Sequence, residues 1–346
     1  MRALTVRPGV KDSLALTDMP EPAASEGEVL VDALAVGLCG TDVEIIDALY
    51  GEAPPGSELL VLGHENLGRV ADAGGSHLSP GDLVVAFVRR PDPVPCAACA
   101  SGEWDMCLTG DYTEHGIKGL HGFARERWRV PADALVKVDE SLADVAVLME
   151  PTTIVAKAWE QIERIGQRAY FGPRTVAVTG AGPIGLLAAL LGRQRGLEVH
   201  VFDLVREGPK PKLVTDIGAE FHNESLPDSG LIPDIVLECT GVPSVVVDAL
   251  THNAVNGIVC LTGVSSGGRQ IPLDVGDINR RWVLENDVVF GTVNANRRHY
   301  EAAAQALADA DQAWLSRLIT RRLPLADFAD GFAKQPDDVK VVLTIP

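Results

Sequence analysis

Apolar residues fall along this chain in two textures. Through residues 1–150 they come in short runs cut by Gly, Pro and charged positions, as in Glu28-Val29-Leu30-Val31-Asp32-Ala33-Leu34 and Asp82-Leu83-Val84-Val85-Ala86-Phe87-Val88. Such runs, bounded by turn formers, predict the β-strands of an irregular domain, which Met1-Arg2-Ala3-Leu4-Thr5-Val6 opens. From about residue 152 the spacing changes. Residues 154–165 repeat at helical spacing, Thr175-Val176-Ala177-Val178-Thr179 reads as a short buried strand, and 185–196 as an apolar helix. Val199-His200-Val201-Phe202, Asp234-Ile235-Val236-Leu237-Glu238 and Ile258-Val259-Cys260-Leu261-Thr262 continue the series. Strands alternating with helices predict βαβ units and a parallel sheet. The tail, 339–345, reads as a strand again, so the chain divides into 1–151, 152–300 and 301–346.

At 346 residues the chain is too long for one ordinary domain, and 46% hydrophobic against 23% charged residues excludes a disordered chain. The net charge of −18 repels phosphate backbones, which argues against a nucleic-acid partner. No apolar run approaches the roughly 20 residues of a membrane span. The first residues read as a strand and not as a signal peptide, so a cytoplasmic protein is expected. In that compartment the six cysteines are expected to be reduced, and metal ligation becomes their leading functional use.

Gly180-Ala181-Gly182-Pro183-Ile184-Gly185 follows the 175–179 strand and opens a helix. The first Gly permits a tight turn, the second lets the backbone approach a pyrophosphate, and the third allows close helix–strand packing. The helix N-terminus offers unpaired N–H groups to the phosphates. Asp203 follows Gly185 by 18 residues, at the end of the next strand. A carboxylate there accepts hydrogen bonds from ribose hydroxyls and repels a 2′-phosphate, which favours NAD. Arg206 softens that preference, so NADP stays open. Thr240 and Val264 join the expected cofactor-binding set.

Upstream lie Cys39-Gly40-Thr41-Asp42, then Gly63-His64-Glu65, then Met149-Glu150-Pro151. Taken singly, Cys39 is an ordinary small buried side chain, His64 a core histidine, and Glu65 and Glu150 surface acids. Together they form a Cys/His/carboxylate set for a catalytic zinc, three protein ligands with one position open. A second cluster, Cys96-Ala97-Ala98-Cys99 with Cys107, reads as a structural zinc knot. Asp92 is its candidate fourth ligand, and an incomplete site is the alternative.

These motifs, in this order over essentially the whole chain, resemble the medium-chain zinc-dependent alcohol and polyol dehydrogenases. Within them the chain is most similar to the glucose dehydrogenases of archaea and some bacteria. Glu44 stands where polyol enzymes carry a relay histidine, five residues after the zinc cysteine. Glu114-His115-Gly116-Ile117 resembles a sugar-binding segment, and 291–300, with Asn294 and His299, resembles one whose Asn lies near the nicotinamide and whose His reaches the sugar. Two positions depart from the family: Pro93 where a first lobe cysteine would fall, and Ile154 where several glucose enzymes carry an acid.

The resemblance implies an α/β protein, with a β-rich GroES-like catalytic domain and a doubly wound Rossmann domain. It implies zinc-dependent oxidation of the anomeric hydroxyl of an aldose to a lactone, with NAD or NADP taking the hydride. Thr41 would carry the proton away, and Glu65 or Glu150 would complete the zinc site. Glu114 and His299 would bind ring hydroxyls. The missing acid at Ile154 implies activity on more than one sugar epimer. Relatives of this kind are homodimers or homotetramers. Oxidation of a polyol or secondary alcohol to a ketone is the alternative activity.

Overall fold

The structure, a computed structural model, describes residues 1–23, 25–265 and 270–346. It forms two compact units, Met1–Glu150 with Asn294–Pro346, and Pro151–Val293.

The first unit is built around the strand Glu28–Gly37. Its residues alternate between half-buried and buried from Glu28 to Ala35, the period-2 signature of a strand with one face on a core. Glu65–Asp72 and Arg127–Pro131 pair with it antiparallel, and Lys340–Thr344 joins it from the chain terminus. The full order of the larger sheet is Leu135–Lys137, Leu83–Ala86, Glu65–Asp72, Glu28–Gly37, Lys340–Thr344, Ile319–Pro324. A small sheet of Arg89–Arg90, Thr113–His115 and Gly119–Leu120 stands apart from it.

The chain re-enters this unit at Asn294, ahead of the 301 boundary read from the sequence. The reason is a buried anchor. The Tyr300 hydroxyl accepts the Val88 N–H at 3.1 Å, and its ring lies 4.6 Å from that of Phe87. The helix Arg297–Ala308 therefore belongs to the β-rich unit.

The second unit holds a six-stranded all-parallel sheet. Its order is Glu220–His222, Glu198–Phe202, Thr175–Thr179, Ile235–Glu238, Ile258–Leu261, Val288–Gly291. The first strand in sequence lies in the middle and the order reverses beside it, which is the doubly wound arrangement. Ala177, Phe202, Val236 and Val259 from four strands pack with Leu226 and Ala249 into one core on a single face. Among the described residues, no helix is long and apolar enough to cross a membrane.

Candidate functional site

Cys39 ends the chain's run out of the central strand and caps the helix Gly40–Ile46. Its N–H donates to the Asp42 carboxylate at 2.9 Å, which fixes the turn that carries the thiol. Asp42 is fully buried, and its other oxygen lies 3.5 Å from His64 Nδ1. His64 and Glu65 come from the neighbouring strand, where Glu65 pairs in register with Gly37. Ligand atoms of Cys39, His64 and Glu65 all lie within 4.8 Å of one another.

Gly37 makes this possible. A Cβ there would fall 2.0 Å from Glu65 Oε2. Across the bare backbone of Gly37, Glu65 meets Lys340 from the strand on the far side. Lys340 Nζ donates to both Glu65 oxygens, at 2.6 and 2.7 Å, and to the Leu38 carbonyl at 3.0 Å. Lys340 is buried, at 3% exposure. Burial opposes its charge, but Glu65 and Cys39 hold its pKa above the ordinary value. Neither Lys340 nor Asp42 was assigned a role from sequence. A lysine inside the apolar run Val339–Val342 was the available signal.

The charges identify what the cluster suits. Burial works against a protonated His64, yet Asp42 and Cys39 raise its pKa well above the imidazole range. Glu150 is also buried, and its pKa is pushed up to about 7, by burial first and then by Glu65 and Asp42. The pocket thus brings a half-buried thiol together with a buried imidazole and a buried carboxylate. That is a fit for a zinc ion with an open position. Glu65 is the carboxylate within the ligand cluster; Glu150 is not among its members. Thr41 sits half-buried in the first turn of the capped helix, with Glu44 one turn on.

Glu114 is buried on the strand Thr113–His115. Its Oε1 accepts Arg89 Nε at 3.0 Å and Asn294 Nδ2 at 2.6 Å. Arg89 stacks on the Tyr112 ring at 3.6 Å. Asn294, in the left-handed region at φ 61°, is thereby tied to Glu114 within the β-rich unit. His299 is buried, and its Nδ1 accepts the Asn296 N–H at 3.1 Å in a reciprocal helix cap. It is a buried cap, and that nitrogen is committed to the backbone.

In the lobe, Cys96, Cys99 and Cys107 lie within 4.8 Å of one another. The Leu108 and Cys99 N–H groups donate to Cys96 Sγ and lower its pKa. The Thr109 hydroxyl contact brings Cys107 down to about 6, whereas burial pushes Cys99 up to about 11. Asp92, read as a fourth ligand, is not among the clustered residues. Its oxygens accept the Val94 N–H and the Thr109 hydroxyl, each at 2.8 Å.

In the second unit the glycine loop has the geometry a dinucleotide needs. Gly180 adopts φ +93°, which favours glycine at this turn. A Cβ on Gly185 would fall 1.8 Å from the Gly180 carbonyl, so helix and strand touch there. Gly182 faces open space and caps the helix Pro183–Gln194, with Pro183 and Ile184 in its first turn. Asp203 accepts the Ala181 N–H at 2.7 Å and the Val205 N–H at 3.0 Å, so it braces the loop. Lys210 Nζ lies 3.4 Å from it, a cation not singled out from sequence. Arg206 is exposed. Thr240 donates to the buried Glu238, which also accepts the Gly241 N–H, and Val264 is exposed beside Gly241.

A β-rich unit with a zinc-type cluster and a doubly wound unit with a phosphate loop define a medium-chain dehydrogenase. Residues 25–140 match the alcohol dehydrogenase GroES-like domain, and residues 143–345 match the glucose dehydrogenase C-terminus. The chain is 42% identical to the glucose 1-dehydrogenase of Methanocella arvoryzae, over 100% of this chain and 99% of that one. It is 41% identical to glucose 1-dehydrogenase 1 of Caldivirga maquilingensis at the same coverage. The structure of Haloferax mediterranei glucose dehydrogenase in complex with NADP, Zn and gluconolactone matches with a TM-score of 0.93. It is 31% identical and covers 100% of this chain and 99% of that chain. The chain belongs to the glucose dehydrogenase family.

Proposed function

We propose that this protein oxidises the anomeric hydroxyl of a free aldose, glucose first among candidates, to the lactone, with NAD or NADP taking the hydride. The observation that carries this is the Cys39–His64–Glu65 set, with His64 and Glu65 buried, in a chain whose fold matches the Haloferax enzyme over nearly the whole of both chains. Zinc held there supplies a Lewis acid that brings a hydroxyl pKa towards neutrality.

The remaining work falls to the chain's own groups. Cys39, His64 and Glu65 hold the metal, with Lys340 balancing Glu65 and Asp42 orienting His64. Glu150, with its pKa near 7, completes or exchanges into that set. The Thr41 hydroxyl both donates and accepts, and carries the substrate proton outward. Glu114 binds a sugar hydroxyl through Oε2, because Arg89 and Asn294 occupy Oε1. His299 positions the segment containing Asn294 and Asn296.

The Gly180–Gly185 loop and the following helix hold the pyrophosphate, and Asp203 reaches the adenosine ribose. Lys210 beside Asp203 offsets its repulsion of a 2′-phosphate, so both cofactors are accepted. A lobe zinc on Cys96, Cys99 and Cys107, a homodimeric or homotetrameric assembly and a cytoplasmic setting belong to the same proposal.

The test is a panel of aldoses, polyols and secondary alcohols with each cofactor, with products identified. Lactone or aldonic acid from glucose or a close epimer is the expected outcome. Activity confined to polyols or secondary alcohols, with a ketone product, would replace this reading.

A further inference from the structure

Outside both cysteine clusters, two strands of the dinucleotide-binding unit carry acids and histidines at alternate positions. One reads Glu198-x-His200-x-Phe202, and the other reads Glu220-x-His222 with Glu224 beyond its end. The strands run parallel with His200 opposite Glu220 and Phe202 opposite His222. A period of two then puts all these side chains on one face. His200 is buried, His222 is half-buried and Glu220 is exposed, so the group opens to solvent through its carboxylate.

From these residues we infer a further divalent-metal site, formed by His200 Nδ1, His222 Nε2 and the Glu220 carboxylate. The two nitrogens are 2.9 Å apart, and they lie 3.6 and 3.7 Å from Glu220 oxygens. Neighbouring ligands of a tetrahedral zinc are separated by about 3.3 Å when metal–nitrogen bonds are about 2.0–2.1 Å. The observed separations bracket that value.

The other nitrogen of each ring is also provided for. His200 Nε2 lies 3.3 Å from Glu198 Oε1, and His222 Nδ1 lies 3.2 Å from Glu224 Oε1. A carboxylate on the far side of a ligating imidazole fixes its tautomer and raises its basicity, as in metal sites generally. Phe202 stacks on His222 with ring centroids at 4.6 Å and an interplanar angle of 15°, which holds the second ring in place. Two imidazoles and a carboxylate suit Zn²⁺, Co²⁺ or Ni²⁺ over Mg²⁺ or Ca²⁺. An ion here clamps the edge strand Glu220–His222 to the strand Glu198–Phe202, and the next residue, Asp203, already donates its N–H to the His222 carbonyl at 3.0 Å.

The experiment is a calorimetric titration of Zn²⁺ into enzyme already saturated at its tighter sites, with bound zinc counted by elemental analysis. Wild-type protein is expected to take up one equivalent per chain more than the double variant His200→Asn/His222→Asn, with turnover unchanged in that variant. Glu220→Gln, at an exposed position that folding tolerates, is expected to weaken the added site by about tenfold or more. NADH binding reports whether each variant is folded. Equal zinc uptake by wild type and the folded double variant overturns the inference. Should the double variant not fold, unchanged affinity in Glu220→Gln overturns it.

Discussion

The two cysteine clusters of the β-rich unit are held in different ways. Cys39, His64 and Glu65 are braced by ionised side chains that are themselves buried, Asp42 on one side and Lys340 on the other. Cys96 and Cys107 are shaped by backbone N–H groups and the hydroxyl of Thr109, close to solvent. The difference follows from dielectric. A buried charge must be met by another buried charge, or folding bears its desolvation. A half-exposed thiolate has water and main-chain dipoles at hand and needs no such partner.

The largest stability effect is therefore expected at Lys340, which touches neither thiol. Lys340→Met leaves Glu65 buried without its cation and should cost about 3–5 kcal/mol in denaturant unfolding, the range for breaking one half of a buried pair. Adding Glu65→Gln should recover part of that loss, because the stranded charge disappears. A cost below about 1 kcal/mol would break the contrast between the two clusters.

The legible features of this protein were the local ones. Gly180, Gly182 and Gly185 announce their loop within six residues: Gly180 and Gly185 answer backbone demands, and Gly182 leaves open space at the helix start. The Cys39 and His64–Glu65 motifs were visible through their residue types and family likeness. The bracing was not, because Glu65 and Lys340 stand 275 residues apart and meet through the register of three strands around Gly37. Asp92, read as a candidate lobe ligand, likewise has partners that the spacing did not reveal: its oxygens accept the Val94 N–H and the Thr109 hydroxyl. Spacing shows that a carboxylate is near the thiols, while the turn it braces appears only in the structure. His299, read as a sugar contact, also stands at a helix start, where its Nδ1 accepts the Asn296 N–H.

A smaller effect is expected from pH, and it separates two neighbouring titratable residues, Glu114 and His115. Glu114 is paired with Arg89, whereas His115 is buried, and its pKa is driven down to about 3 chiefly by burial. The unfolded chain takes up this proton near pH 6.5 and the folded one does not. The contribution of a neutral His115 is complete above pH 6.5 and is lost as pH falls towards 3. His115→Gln, which retains an amide able to donate to the His121 carbonyl, removes that penalty. The stability difference between variant and wild type should shift towards the variant by about 1.4 kcal/mol per pH unit below 6. Parallel pH profiles would mean that His115 is protonated in the fold.

The smallest stability effect is expected in the lobe. Cys99→Ala should remove one zinc per chain and lower Tm by no more than about 4 °C, with turnover retained. An unchanged zinc count would mean that the three thiols hold no metal.

The most direct test of the whole account is deuterium transfer from C1-deuterated glucose to the oxidised nicotinamide, followed in wild type and in Cys39→Ala and His64→Ala. Wild type with zinc should place the label on the reduced cofactor and release the lactone. Both variants should fail to transfer it while still binding NADH. Label appearing on the cofactor at an undiminished rate in either variant would contradict the assignment of this cluster as the catalytic zinc site.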